Sequence, residues 1–233
     1  MCCLTIYKSK DDTLIITHNR DEKISRQLSA SEVRPNTING KIVWMPKDVQ
    51  SNGTWIATDG QMVAAILNGF KKNHVKKTTY RASRGGIIPA FFDHNGLDDF
   101  ILNFNPSGYE PFTLILLDGI ERLVEYGWDE HKKYVTELDQ NAAVIYSSCT
   151  LYDNIVSSNR ADLFSDFILH ERNENDIWNL HATKGRDHNK FLNVDYNDEI
   201  CTVALSQIIL RKDSSFSYTP LPGNSITQKI KIS

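Results

Sequence analysis

Two cysteines follow the first methionine in MCCLTIYK, and after a short apolar run the chain reads ITHNRDEKISR, with Asn19, Arg20, Asp21 and Glu22 in an unbroken polar row. Methionine is trimmed when a small residue follows it, and cysteine is small enough. Cys2 is therefore a candidate N-terminal residue that carries both a thiol and a free α-amine, a nucleophile and a base on one residue. A free thiol titrates near ~8.5 and an α-amine at ~7.7 to 8.0, so a nearby cation would enrich the thiolate at neutral pH. Arg20 is the candidate for that cation. The plainer alternative is a small buried apolar residue, the role that most free cysteines fill. Cys3 suits that role better, because successive strand residues face opposite ways and only one of the pair can point into a given site.

The elements that would position these residues follow from hydrophobic period and turn chemistry. Residues 2 to 7 and 13 to 18 are apolar and β-branched-rich and flank the polar KSKDD, which predicts a hairpin. In GTWIATDGQMVAAILNGF, residues 54 to 58 and 62 to 68 flank Asp59-Gly60, a dipeptide that suits a type I′ turn. RASRGGIIPAFFDH and NGLDDFILNF suit short helices, with Pro89 in a first turn. PFTLILLDGIERLVEYGW reads as a further hairpin turning at Asp118-Gly119, and residues 143 to 149 as a strand. Asp153 is a candidate N-cap for an amphipathic helix reaching His170. EICTVALSQIILRK and SFSYTPL read as strands, and the chain from about 223 onward as a loose tail. Hairpins at both ends with helices between them predict antiparallel sheets covered by helices, an α+β chain and not a βαβ alternation.

Bulk properties narrow the partners. The 233 residues are enough for one domain, 1–233. A formal net charge of -3 offers no basic face for a phosphate backbone, so no nucleic-acid partner is expected. The apolar start is short and broken by Lys8, Lys10, Asp11 and Asp12, unlike a signal peptide, and no run nears the ~20 apolar residues of a membrane span. The chain is expected to be cytoplasmic. Cys2, Cys3, Cys149 and Cys201 form no CxxC pair, and the seven histidines show no HExxH or HxxxH spacing, so no metal site is expected.

Taken in order, MCCLTIY, LIITHNRDE, GTWIATDGQMVAAILNGF, the Ser83-Arg84-Gly85 tripeptide and SSCTLY resemble the NRDE family, which includes the transport and Golgi organisation proteins. The resemblance covers most of residues 1 to 160. That family is similar to the N-terminal nucleophile (Ntn) hydrolases, which implies a four-layer αββα sandwich of two antiparallel sheets. Its analogues are cysteine acylases of the choloylglycine hydrolase and penicillin V acylase type. The resemblance implies Cys2 as nucleophile, Arg20 as thiolate partner, Asp21 as acceptor for the α-amine, and Asn68 as an oxyanion donor. In those acylases the arginine and aspartate are separated, whereas Arg20 and Asp21 are adjacent here. On a regular strand they would face opposite ways, so a joint approach to Cys2 requires the strand to end by Asn19. No counterpart is evident for the acylases' later arginine and second asparagine.

Two functions follow from the resemblance. One is an amidohydrolase that cleaves a linear carbon-nitrogen amide bond of a small molecule through a Cys2 thioester, with no cofactor required. The other is a haem-binding or haem-trafficking protein that uses the same scaffold without hydrolysis, its axial ligand drawn from the cysteines or from histidines such as His18. Taken singly, Ser83-Arg84-Gly85 also reads as a capped helix start, and Asn68-Gly69 as a turn after a strand.

Overall fold

The computed structural model describes residues 2–25, 32–141, 143–196, 199–221 and 227–232. Met1, whose removal the sequence predicts, lies outside the described residues. The chain opens with β1 (Cys2–Lys8), β2 (Leu14–Lys23), β3 (Arg34–Ile38), β4 (Lys41–Met45), β5 (Ile56–Thr58) and β6 (Met62–Asn68). Helices α1 (Ile87–Asp93) and α2 (Leu97–Asn103) lead into β7 (Phe112–Asp118), β8 (Arg122–Trp128), β9 (Lys133–Leu138) and β10 (Val144–Ser147). Then come α3 (Asn154–Phe167), α4 (Glu174–Ala182), β11 (Lys184–Gly185), β12 (Asn193–Tyr196), β13 (Ile200–Leu210), β14 (Ser214–Pro220) and β15 (Gln228–Ile232).

Among the described residues the strands form an eight-stranded sheet, running β10-β1-β2-β13-β12-β11 with β14 and β15 continuing from β13, and a seven-stranded sheet running β3 to β9 in order. Alternation along β1 and β2 decides the layering. Cys2, Leu4, Ile6, Leu14 and Ile16 enter the main core with β5 to β8, whereas Tyr7 and Ile15 pack on Phe164 of α3 and Ile177 of α4. On the far side, Ile87, Ile88, Phe91 and Phe92 of α1 and Phe100 of α2 cover the second sheet. The result is the expected αββα order of helices, sheet, sheet, helices.

Local chemistry explains the ends of these elements. Asp153 caps α3 by accepting the Val156 N–H, as its position in the sequence predicts. Pro89 sits in the first turn of α1, where its missing N–H costs nothing. Helix α4 falls in a stretch for which the sequence predicts no element, yet Asn173 and Asp176 close a reciprocal capping box at its start. Two expectations are corrected. Only Gly60 takes a positive φ (+97°) in the β5–β6 turn, whereas a type I′ turn needs positive φ at both central residues. The expected tail carries β15, which pairs with β14 and sets Ile232 against Gly60, so that a Cβ there would come within 2.8 Å of the isoleucine methyl. Residues 222–226 of that tail lie outside the described residues.

Candidate active site

The β1–β2 ladder pairs Cys2 with Arg20, which puts both side chains on the face toward the second sheet. Cys2 is 4% exposed and Arg20 5%. The guanidinium is held from two sides: its Nη2 lies 2.5 Å from Asp48 Oδ2 and 3.7 Å from Glu22 Oε2, and its central carbon stacks 4.5 Å from the Trp55 ring centroid. Asp48 is fixed in turn, its other oxygen accepting the backbone N–H of Gln50 and Ser51. Cys2, Arg20, Asp48, Trp55, Asn68 and Arg84 wall one cleft of about 140 Å³ between the two sheets. The expected meeting of Cys2, Arg20 and Asn68 is therefore observed as placement.

Asn68 reaches this cleft because it is the last residue of β6, and Gly69 then turns the chain with φ +80°. Only glycine fits there, since a Cβ would lie 2.5 Å from Cys149 Sγ. Ser148 ties the two sheets together at this point. Its N–H donates to the Cys2 carbonyl at 2.9 Å and its hydroxyl to the Asn68 carbonyl at 2.8 Å. The SSCTLY motif held this serine, but its bridging role depends on a contact eighty residues away and has no local signature.

Ser83-Arg84-Gly85 forms the capped helix start read from the sequence, and it also does more. Ser83 Oγ accepts the Gly85 N–H as a cap, and Arg84 enters the cleft, its guanidinium bound to Glu110 at 3.1 Å and to the Pro111 carbonyl at 3.0 Å. Arg84 thus supplies a second arginine beside Cys2, which the sequence alone did not identify. The tripeptide is drawn in by backbone contact: the Thr54 N–H donates to the Gly85 carbonyl, and a Cβ on Gly53 would fall 2.6 Å from Gly85 Cα. This close approach explains the glycines of both motifs.

Strand β2 does not end at Asn19; it runs to Lys23, so Arg20 and Asp21 point to opposite faces and a joint approach of both side chains to the Cys2 thiol is ruled out. The fully buried Asp21 carboxylate faces α3 and accepts the Tyr152 hydroxyl at 2.8 Å and the Thr202 hydroxyl at 2.7 Å. Continuing the ladder one step past the Cys2–Arg20 pair leads to Asp21, on the side where the Cys2 nitrogen leaves the strand.

Burial pushes the Cys2 thiol up, Asp21 adds to the rise, and Arg20 pulls against it, with a net shift upward. Arg20 acts on the thiol in the expected direction, but Asp48 and Glu22 also engage the guanidinium and desolvation outweighs its pull. A buried neutral thiol needs a base at the moment it reacts. Haem, the alternative ligand, meets at Cys2 a cleft well below the roughly 300 Å³ at which drug-sized ligand pockets begin. His18 is wholly buried between the sheets. Among the described residues no cluster of three or more His, Cys, Asp or Glu side chains could hold a metal ion, and no helix is long and apolar enough to cross a membrane.

Comparison with known proteins bears on both fold and family. Residues 1–162 match the Transport and Golgi organisation 2 family. The structure is similar to the Caenorhabditis elegans ortholog of N-acylethanolamine-hydrolyzing acid amidase, with TM-score 0.61 and 13% identity over 89% of this chain and 92% of that one. It is similar to penicillin V acylase from Agrobacterium tumefaciens, with TM-score 0.61 and 10% identity over 100% and 86% of the two chains. Conjugated bile acid hydrolase from Clostridium perfringens gives TM-score 0.58 and 10% identity over 100% and 92%. No curated protein sequence matches significantly. At these identities the likeness shows the Ntn-hydrolase fold.

Proposed function

Because the chain belongs to the Transport and Golgi organisation 2 family and has the Ntn-hydrolase fold, we propose that it is a cysteine amidohydrolase acting on a linear carbon-nitrogen amide of a small molecule. One observation carries this reading: Cys2 is paired with Arg20, and the next ladder step falls at Asp21. The thiol and the α-amine of an N-terminal cysteine leave its backbone in different directions, so their partners belong on different faces of the neighbouring strand. Adjacent Arg20 and Asp21 meet that requirement, and their adjacency ceases to count against the acylase analogy.

In this mechanism the α-amine of processed Cys2 takes the thiol proton as sulfur attacks the amide carbonyl. Asn68, at the cleft wall, donates to the oxyanion of the tetrahedral intermediate. The carbon-nitrogen bond breaks as the ammonium returns its proton to the leaving amine, and a thioester remains. Water, deprotonated by the same amine, then releases the acid. Arg20 fixes the cleft wall and offsets the charge developing on sulfur. Asp21 holds the amine.

The test is to incubate processed protein with a panel of N-acyl amides, with Cys2→Ala as control. Release of amine that vanishes in the variant supports the reading. Turnover that persists in Cys2→Ala, or none by processed wild type on any member, counts against it.

A further inference from the structure

Beneath the eight-stranded sheet, on the side away from the cleft, lies a buried chain of polar contacts whose members, Asp21 apart, have no part in the proposed reaction. Arg160, in α3, is wholly buried, although every other buried side chain of that helix is apolar. Its guanidinium carbon lies 3.9 Å from the Tyr152 ring centroid, its Nε donates to the His188 carbonyl at 2.8 Å, and its Nη2 to the Phe191 carbonyl at 3.2 Å. Tyr152 in turn donates to Asp21, and Thr202, which also accepts the Val194 N–H, donates to the other carboxylate oxygen. A desolvated cation placed on a tyrosine that hydrogen-bonds a desolvated carboxylate is a costly arrangement, and removal of one member leaves the others uncompensated.

Resting on the reading of Asp21 as partner of the Cys2 α-amine, we infer that Tyr152 and Arg160 are positioning residues of the same site. Tyr152 favours the ionised form of Asp21 against burial and aims the carboxyl along the ladder step beyond Cys2, and Arg160 holds Tyr152 in place. Among the described residues the titratable groups on the face of Asp21 are Tyr152 from the loop before α3, Arg160 from α3 and Cys3 from β1, with Cys2 acting from the opposite face and β13 contributing the neutral Thr202. Burial pushes the Asp21 carboxyl up, and Arg160, Thr202 and Tyr152 offset part of that rise, with a net shift upward. Cys3 stays a neutral thiol, pushed up to about 12 by burial. An ionised Asp21 would favour the protonated amine and so raise its titration.

The experiment titrates the α-amine of processed protein by trace labelling with acetic anhydride across pH, read by mass spectrometry of the N-terminal peptide. Wild type is expected to titrate at least about one unit above Asp21→Asn, with Tyr152→Phe and Arg160→Met falling toward Asp21→Asn and Arg160→Lys returning toward wild type. A purely packing role for Arg160 would not move this titration. If Asp21→Asn leaves the amine unchanged, the underlying amine reading fails and this inference with it. If Asp21→Asn shifts the amine while Tyr152→Phe and Arg160→Met match wild type, only this inference is overturned. Should Arg160→Met not fold, Tyr152→Phe, which removes a single oxygen, decides the outcome.

Discussion

Arg20 and Asp21, neighbours in the chain, leave one strand on opposite faces: Arg20 toward Trp55 and Asp48 between the sheets, Asp21 toward Tyr152 beneath α3. The separation turns a row of polar residues into two environments, one at the Cys2 side chain and one beside the strand end from which its amine would extend. Each environment can be perturbed without the other.

Cys2→Ala should keep the fold. The thiol is one atom at the cleft end of the core, and its loss should lower stability by only about 1 kcal/mol, while any reaction with N-acyl amides or with iodoacetamide at residue 2 should disappear. Urea unfolding beside peptide mapping measures both effects. A loss of several kcal/mol would make Cys2 a core residue first.

Arg20→Met removes the cation from two nearly buried carboxylates, Asp48 and Glu22, and takes away the stacking partner of Trp55. A loss of about 3–5 kcal/mol is expected in the urea midpoint. Arg20→Lys should recover only part of it, because an ammonium cannot bind Asp48 through its planar edge and stack on the ring together. Equal stability of the lysine variant and wild type would contradict the contact geometry.

Gly53→Ala and Gly85→Ala each force a methyl group into the facing backbone, 2.6 and 2.8 Å from the nearest Cα. Either change should cost about 1–3 kcal/mol and move Arg84 away from the cleft, slowing turnover beyond what the stability loss explains. Activity measured well below the melting temperature separates the two effects. A variant with full activity would show that Arg84 need not sit beside Cys2.

Acid should destabilise the protein through its buried imidazoles. His181 bridges Thr5 and Asn19; Asn19 Nδ2 already donates to two carbonyls, so Nδ1 of the ring donates to Asn19 Oδ1 and Nε2 accepts from Thr5. Burial holds His181 and His18 down to about 3, against an ordinary 6.5. Between those values the unfolded chain binds protons that the folded chain does not, so stability falls as pH drops through this window, by about 1.4 kcal/mol per unit for each histidine. Asp21 shifts upward and works in the opposite sense. His181→Gln should weaken the fall in urea midpoint between pH 6.5 and 4 by about one proton, and an unchanged slope would place the charged ring within the fold.

The features legible in sequence were those set by local chemistry. Strand β1, the start of β2, the Asp153 cap and Pro89 in a first turn each carry their signal within a few residues and form where expected. Asp48, Ser148, Tyr152 and Arg160 were not legible as site residues, because each acquires its role from contacts between distant segments. Arg160 is the clearest case: on a helical wheel it is one more polar residue of α3, yet it is wholly buried with its guanidinium over the Tyr152 ring. Asp21 was legible as a residue of interest, but its direction depended on where β2 ends, a boundary that polar composition misplaced.

The central claim, that Cys2 is an N-terminal nucleophile, is tested most directly by the intact mass of purified protein before and shortly after mixing with an N-acyl amide. The expected result is a chain lacking Met1 that gains one acyl group at Cys2 and then loses it to water, with no gain in Cys2→Ala. Complete retention of Met1, or a processed chain that binds haem tightly and never acquires an acyl group, would contradict it.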